Sequence, residues 1–248
     1  MIYHRPARLE DALALLARDD VRIVPLAGGT HVLAHPDPSV EEIVDLQDLG
    51  LDGIAIADDV LQIGATTTLE TVATSPVAQP VANGLICEAA RRSASSVLRQ
   101  QTTVAGTLLA AAGYADLPVA LLALGACVII EPGAGRLSLE ALWSEPASHL
   151  GGSLITETVV PLPPEGAHLA FERVSRTPSD RAIVAVAAVQ TGDGLRVAVG
   201  GGLPHPVLLQ AASAEMLPDA AGLPFSSDAL ASAEYRRAMA ALLIRRTT

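Results

Sequence analysis

The sequence is poor in aromatic residues and in positive charge. Its 248 residues include one tryptophan, three tyrosines and two phenylalanines, although 50% of the chain is hydrophobic. The core must therefore be built mainly from alanine, valine, leucine and isoleucine. Lysine and arginine together number 16 against 27 acidic residues, so the net charge is −11, and no basic cluster is present. This balance disfavours nucleic acids and anionic membranes as partners, because both are bound through clustered basic side chains.

Several functional signatures are also missing. No hydrophobic run approaches the roughly 20 residues of a membrane span, and residues 1–6 lack the apolar stretch of a signal peptide. Cys87 and Cys127 are too few for an iron–sulfur cluster, and we expect free, buried thiols in a cytoplasmic protein. His31 and His35 have the spacing of a helical metal pair, but Pro36 follows at once and no third ligand lies nearby. We expect no metal in this chain.

Two segments combine glycine with a neighbouring threonine. They are residues 25–33, Pro-Leu-Ala-Gly-Gly-Thr-His-Val-Leu, and residues 102–110, Thr-Thr-Val-Ala-Gly-Thr-Leu-Leu-Ala. Glycine lets backbone amides converge, and such a nest of amides binds phosphate groups. One such loop is more often a plain turn. Two in one compact chain predict a long anion that is held from two sides.

The hydrophobic pattern predicts an α+β fold of short mixed elements rather than regular βαβ repeats. The predicted strands cover residues 21–24, 42–46, 60–63, 127–130, 156–160, 169–174, 182–190 and 195–199. The predicted helices cover residues 11–20, 69–73, 76–92, 117–124 and 228–246. Thr68 is a candidate N-cap, residues 133–135 and 192–194 are predicted turns, and the prolines of residues 161–164 mark the best domain boundary.

Six segments resemble one protein family, in the order of that family. They are the first glycine loop, residues 61–69, residues 99–107 with 116–124, residues 171–176 (Phe-Glu-Arg-Val-Ser-Arg), residues 198–207 and residues 231–237. Together they resemble the FAD-binding medium subunit of the molybdenum hydroxylases, the carbon monoxide dehydrogenase and xanthine dehydrogenase family. The resemblance implies a two-lobed FAD-binding fold of the vanillyl-alcohol-oxidase (PCMH) type in residues 1–164, with the lobes divided near residues 50–60. Residues 165–248 would then form a smaller C-terminal domain of antiparallel sheet plus helices.

The resemblance also implies a cofactor site, with no catalytic residue and no metal. The first loop would wrap the FAD pyrophosphate through Ala27, Gly28, Gly29, Thr30, His31 and Val32. The second loop would close the site through Thr103, Gly106, Thr107, Leu109 and Asp116. Ser93 and Ala94 would also line the cofactor, Ile155 would lie near the flavin ring, and Arg173 stands where many members carry a lysine. Backbone amides can bind a pyrophosphate without lysine, and a Cβ at either glycine of the first loop is expected to stand between the amides and the phosphates.

Some residue roles have two interpretations. Asp116 either accepts hydrogen bonds from the ribose or adenine, or caps the following helix. The run of threonines at residues 66–68 is either a turn with a cap or a flavin contact, and His31 either points to solvent or reaches the phosphates. The chain also departs from the family pattern, since His31 replaces an aspartate, Ala105 a glycine and Thr107 an asparagine. The segment 207–229 is shorter than is usual in the family.

The implied function is electron transfer within a hetero-oligomer. FAD, bound noncovalently, would receive electrons from the iron–sulfur clusters of a small subunit and pass them to an acceptor such as NAD or a quinone. The substrate would react at a molybdenum cofactor in a large subunit. One alternative is a flavin-free scaffold with the same fold and partners. A free-standing flavin oxidase or reductase is disfavoured, because the sequence reveals no catalytic histidine or tyrosine in a flavin context.

Overall fold

The computed structural model describes residues 1–133, 135–177 and 180–248. Its strands are β1 (Ile2–His4), β2 (Ile23–Leu26), β3 (Glu42–Asp45), β4 (Ile54–Ala57), β5 (Val60–Gly64), β6 (Cys127–Glu131), β7 (Gly135–Ser138), β8 (Leu154–Pro161), β9 (His168–Val174), β10 (Val184–Thr191), β11 (Gly194–Gly200) and β12 (Val207–Ala211). Its helices are α1 (Leu9–Leu16), α2 (Leu69–Thr74), α3 (Leu85–Ser93), α4 (Ser96–Arg99), α5 (Val104–Ala110), α6 (Asp116–Ala123), α7 (Leu139–Ser144), α8 (Pro146–Leu150) and α9 (Ala233–Thr247). None of the helices in these ranges is long and apolar enough to cross a membrane.

The strands form three sheets within the described residues. The first is parallel, in the order β1-β3-β2, and the second is antiparallel, in the order β4-β5-β8-β6-β7. The third is also antiparallel, in the order β12-β11-β10-β9, and the predicted hairpin turn at residues 192–194 joins β10 to β11. The α+β fold with a C-terminal antiparallel sheet is therefore confirmed. The domain limits at residues 164 and 50–60 stay predictions.

Both faces of the third sheet are buried, which explains its continuous apolar sequence. Successive side chains of a strand point to opposite faces. In β10, Ala185 and Ala187 belong to the core that contains α3 and α6, whereas Val184 and Val186 belong to the core beneath α9. A third apolar cluster joins α1 to the first sheet. Helices α3 and α6 thus share one core with residues of both the second and the third sheet.

The predicted helix over residues 76–92 is wrong in its first half. Residues Val81–Gly84 form a 3-10 turn in which Ala82, Asn83 and Gly84 have φ values of 50°, 54° and 79°. L-residues in this left-handed region cannot continue a right-handed helix, so α3 begins only at Leu85. The apolar spacing of residues 76–84 reflects burial of a turn and not of a helix.

Other differences concern short elements. Pattern analysis missed β1, β4, β7, β12 and the helices α4, α5, α7 and α8, because each is too short to show a period. Helix α9 begins at Ala233 under a Ser232 cap, since the amides of Leu230 and Ala231 bond the Asp228 carboxylate in a turn. Of the predicted turn 133–135, residue 134 lies outside the described residues. Both cysteines are free, but only Cys87 is fully buried, and Cys127 is half-buried.

Candidate functional site

A cleft of about 960 Å³ opens where the first glycine loop, the start of α5 and the residues before β10 meet. Cofactor pockets reach about 1,000 Å³, so a dinucleotide-sized ligand fits. The predicted site residues that line it are Ala27, Gly28, Gly29, Thr30, His31, Val32, Ser93, Ala94, Thr103, Gly106, Thr107, Leu109 and Ile155. The fold therefore gathers these residues, which are far apart in the chain, around one cavity. Asp116 and Arg173 do not line it.

The first loop lines this cleft and includes backbone amides without a protein acceptor. It follows β2 directly and turns back on itself, with the amides of Leu33 and His35 bonded to the carbonyls of Gly29 and His31 at 3.0 Å each. In the part of the chain that the structure describes, no protein acceptor bonds the amides of residues 28–32. Buried or half-buried amides need a partner. An anionic ligand in the cleft would supply it.

Gly28 is required for a different reason from the one predicted. A Cβ there would lie 2.6 Å from the carbonyl carbon of Gln101 and closer still to its oxygen. The residue is therefore a point where the two loops touch, and a Cβ would not stand between amides and ligand. Thr102 and Thr30 join the loops beside it, with their hydroxyl oxygens 3.3 Å apart. Gly29 has a φ of +71°, in the left-handed region that favours glycine. A Cβ there would also meet the Leu33 side chain.

The second loop is not an amide nest. It forms the first turn of α5, and the amides of residues 104–106 are satisfied within the protein. Val104 and Ala105 donate to the carbonyls of Thr67 and Ala65 at 2.9 and 3.1 Å, and Gly106 donates to the Thr103 hydroxyl at 3.2 Å. The expectation that both loops hold an anion through their amides therefore differs from the structure. The first loop has amides available to an anion, and the second loop lines the cleft with small side chains. Ala105 is helical, so its methyl group causes no backbone strain.

Asp116 and Arg173 form a buried ion pair outside the cleft lining, and their predicted contact with the cofactor stays a prediction. Their side chains are 1% and 5% exposed, and the Arg173 Nη1 atom lies 3.2 Å from the Asp116 Oδ2 atom. Burial raises the pKa of Asp116 to about 7, although the nearby Arg173 charge lowers it in part. Asp116 is also not the cap of α6, because that helix begins at Asp116 itself and its N-cap is Ala115.

Two hydroxyl groups near the cleft are occupied by structural bonds. The Ser93 hydroxyl donates to the Ala89 carbonyl and accepts the Leu117 amide, both at 2.8 Å, so it ties α3 to the start of α6. The Thr107 hydroxyl donates to the Thr103 carbonyl at 2.8 Å. These residues shape the cleft through their positions.

Of the threonines at residues 66–68, two have the structural roles of a turn and a cap, and the third lies at the cleft. Thr68 caps α2 by accepting the Thr71 amide at 3.1 Å, as predicted. The Thr67 hydroxyl lies 3.0 Å from both the amide and the carbonyl of Gly53. Thr66 lines the cleft.

His31 is exposed and stacks on His35, with ring centroids 4.7 Å apart. Both residues belong to the cleft lining, and the two interpretations of the His31 side chain stay open.

Sequence analysis missed other residues of the lining. Tyr114 precedes α6, and Asp180 and Arg181 precede β10, yet all three line the cleft. Tyr114, His31 and His35 thus lie at the cleft, and the expectation that none of them is catalytic stays a prediction. No sequence signal marks Arg181, because only the fold brings the third sheet to the cleft. Within the described ranges, no group of three or more histidine, cysteine or acidic side chains could hold a metal ion.

A model of one protein family matches most of the chain. Residues 1–163, which carry both glycine loops, match the FAD binding domain in molybdopterin dehydrogenase. The chain belongs to this family. Its free loop amides and its cleft of cofactor size fit the ligand that the family is named for.

Relatives in the family align over nearly the full chain. The carbon monoxide dehydrogenase medium chain of Afipia carboxidovorans is 30% identical, over 98% of this chain and 94% of that one. The nicotine 6-hydroxylase medium subunit of Paenarthrobacter nicotinovorans is 31% identical, over 99% and 95%. The C-terminal part beyond the matched domain is thus also shared with these relatives.

Solved structures share the fold. Carbon monoxide dehydrogenase from Hydrogenophaga pseudoflava superposes with a TM-score of 0.84 at 24% identity, covering 100% of this chain and 95% of that chain. Quinoline 2-oxidoreductase from Pseudomonas putida 86 gives 0.82 at 25% identity, covering 100% and 95%. The three-sheet arrangement around the cleft is therefore the fold of this family.

Proposed function

We propose that the chain binds FAD noncovalently in the cleft and serves as the electron-transfer subunit of a molybdenum-containing hydroxylase or dehydrogenase. The free amides of residues 28–32 carry the proposal, because they form a ready anion site in a chain with few basic residues. In this arrangement the first loop binds the pyrophosphate. The small residues of α5 let the cofactor lie close to the backbone, and Ile155 contributes an apolar wall.

The protein's own part in the reaction is to bind and orient. The flavin supplies the ability to accept and give electrons singly or in pairs, and the chain need contribute no acid or base. The lining includes Arg92 and Arg181 against one carboxylate, Asp180, which favours an anionic ligand. Arg92 is also paired with Glu88 at 2.5 Å.

The wider assembly is proposed from the relatives, whose names call them medium chains or medium subunits. We propose that this chain joins a large subunit with the molybdenum cofactor and a small subunit with iron–sulfur clusters. Electrons would reach FAD from those clusters and leave to a separate acceptor. The substrate pocket would then belong to another chain.

The purified protein is expected to carry one flavin per chain. An oxidised-flavin absorption spectrum should be present, and acid should release the pigment as free FAD, because no covalent bond is proposed. A protein that remains colourless after incubation with excess FAD would support the flavin-free scaffold instead. Pigment that stays with the acid-precipitated protein would contradict noncovalent binding.

The protein is also expected to co-purify with two different chains from its native host. A mild affinity purification should recover a molybdenum-containing large chain and an iron–sulfur small chain in equal amounts, as metal analysis and mass spectrometry would show. Complete substrate-dependent electron transfer by the isolated chain would refute this assignment.

A further inference from the structure

The cleft contains one phenyl-type ring among its described lining residues, that of Tyr114. This residue is 45% exposed, and the other two tyrosines, Tyr3 and Tyr235, are exposed to a similar degree. Tyr114 therefore differs from them by its place in the cleft and not by its exposure. A planar ligand ring could cover it, and such stacking stabilises a complex.

Tyr114 is held in place by the backbone around it. It lies in the turn between α5 and α6, where the amides of Tyr114 and Ala115 donate to the Ala111 carbonyl at 3.0 and 2.9 Å. Gly113 packs directly on the segment before β12, since a Cβ there would lie 2.9 Å from the Pro204 carbonyl oxygen. The turn is therefore packed against the connection between β11 and β12.

The Arg181 side chain lies over the same ring. Its guanidinium carbon lies 5.3 Å from the centroid of the Tyr114 ring, which is cation–π geometry. The neighbouring Asp180 carbonyl accepts a hydrogen bond from Arg173. Because Arg173 is itself paired with Asp116, this side of the contact is anchored in the core.

We propose that Tyr114 and Arg181 form a stacking platform for a planar ring of the bound flavin dinucleotide. The inference rests on the proposed function, since it places FAD in this cleft. Both ring systems of FAD, the isoalloxazine and the adenine, are planar and heteroaromatic, so either can stack on the tyrosine ring. Arg181 holds the tyrosine ring in its stacking orientation and adds positive charge beside the ligand.

The test compares variants of the whole protein by FAD affinity and by the fluorescence of the bound flavin. Tyr114→Leu should weaken FAD binding about tenfold, because the loss of one stacked aromatic ring has an effect of that size. The FAD affinity of Tyr114→Phe should stay within about twofold of the wild type, because the ring is retained. Arg181→Gln should weaken binding about threefold. A tyrosine stacked on isoalloxazine quenches its emission, so Tyr114→Leu should then brighten the bound flavin several-fold. A loss of affinity without brightening would assign the platform to the adenine.

Tyr235→Leu is the matched control, since Tyr235 is 43% exposed on α9 and lies outside the cleft lining. Arg245→Gln, in the last turn of α9, is the control for charge. If Tyr114→Leu leaves both affinity and emission unchanged while the wild type binds FAD, the platform is refuted and the proposed function stands. If the wild type binds no FAD, the proposed function itself fails.

Discussion

Gly28→Ala is expected to lower FAD affinity by roughly 10- to 100-fold, because hydrogen bonds to a charged group contribute about 1.5–3 kcal/mol and the substitution would move the amides proposed to donate them. The new Cβ would lie 2.6 Å from the Gln101 carbonyl carbon. The two loops would have to separate, which moves the free amides of residues 28–32 away from the rest of the cleft. Titration of the apoprotein with FAD measures the loss, and circular dichroism should show that the sheets remain.

Two other glycines make this test specific. Gly192→Ala should be neutral, because no atom lies within 4 Å of a Cβ at that position and its φ is not in the left-handed region. Gly29→Ala should have an intermediate effect, since its left-handed φ of +71° costs an L-residue about 1–2 kcal/mol. Normal flavin binding in Gly28→Ala would remove the reason for placing the pyrophosphate at this loop.

Arg173→Leu is expected to lower the free energy of unfolding by about 1–2 kcal/mol more at pH 8 than at pH 5, because Asp116 without the Arg173 charge would stay protonated at pH 8 and one pKa unit corresponds to about 1.4 kcal/mol. Burial raises the pKa of Asp116 to about 7, above the roughly 3.9 of an unfolded aspartate. Below about pH 4 the carboxyl is protonated in both states. As the pH rises through 7 the folded carboxylate becomes charged, and it then needs Arg173. The destabilisation should therefore be smaller at pH 5.

The wild type should show the same linkage. Between the unfolded and folded pKa of Asp116, the unfolded state loses the proton first, so rising pH lowers stability across that range. Asp116→Asn should flatten this dependence. Urea titrations at several pH values measure it, with Arg246→Leu as the control, because the ion pair of Arg246 with Glu172 is exposed. An equal loss at pH 5 and pH 8 in Arg173→Leu would contradict the assignment of the titration to Asp116.

The sequence predicts features whose cause is local. The first glycine loop, the Thr68 cap and the turn at residues 192–194 each depend on a few adjacent residues, and all lie where expected. The resemblance to a known family extends this to the α+β fold, and 13 of the 15 site residues that it implies line the cleft. The break at residues 82–84 escaped because apolar spacing is the same in a buried turn and a helix.

Features that depend on contacts between distant segments could not be predicted. Nothing near Gly28 in the chain indicates that Gln101 lies against it, and nothing near Tyr114 indicates Arg181. Asp116 shows the same limit. Its position before an apolar helix suggests a cap or a ligand contact, but its charged partner, Arg173, lies on β9 of the third sheet.

The shared core of the central helices and the third sheet has a consequence for exchanging parts between relatives. Ala187 and Ala198 of that sheet pack in the same apolar cluster as Leu117 and Leu121 of α6, although the prolines of residues 161–164 separate them in the chain. A protease nick at those prolines would leave two fragments still joined by buried surface. A chimera that takes the C-terminal third of its sequence from a relative must therefore also take the matching face of α6. Otherwise it will have cavities and clashes between α6 and the third sheet.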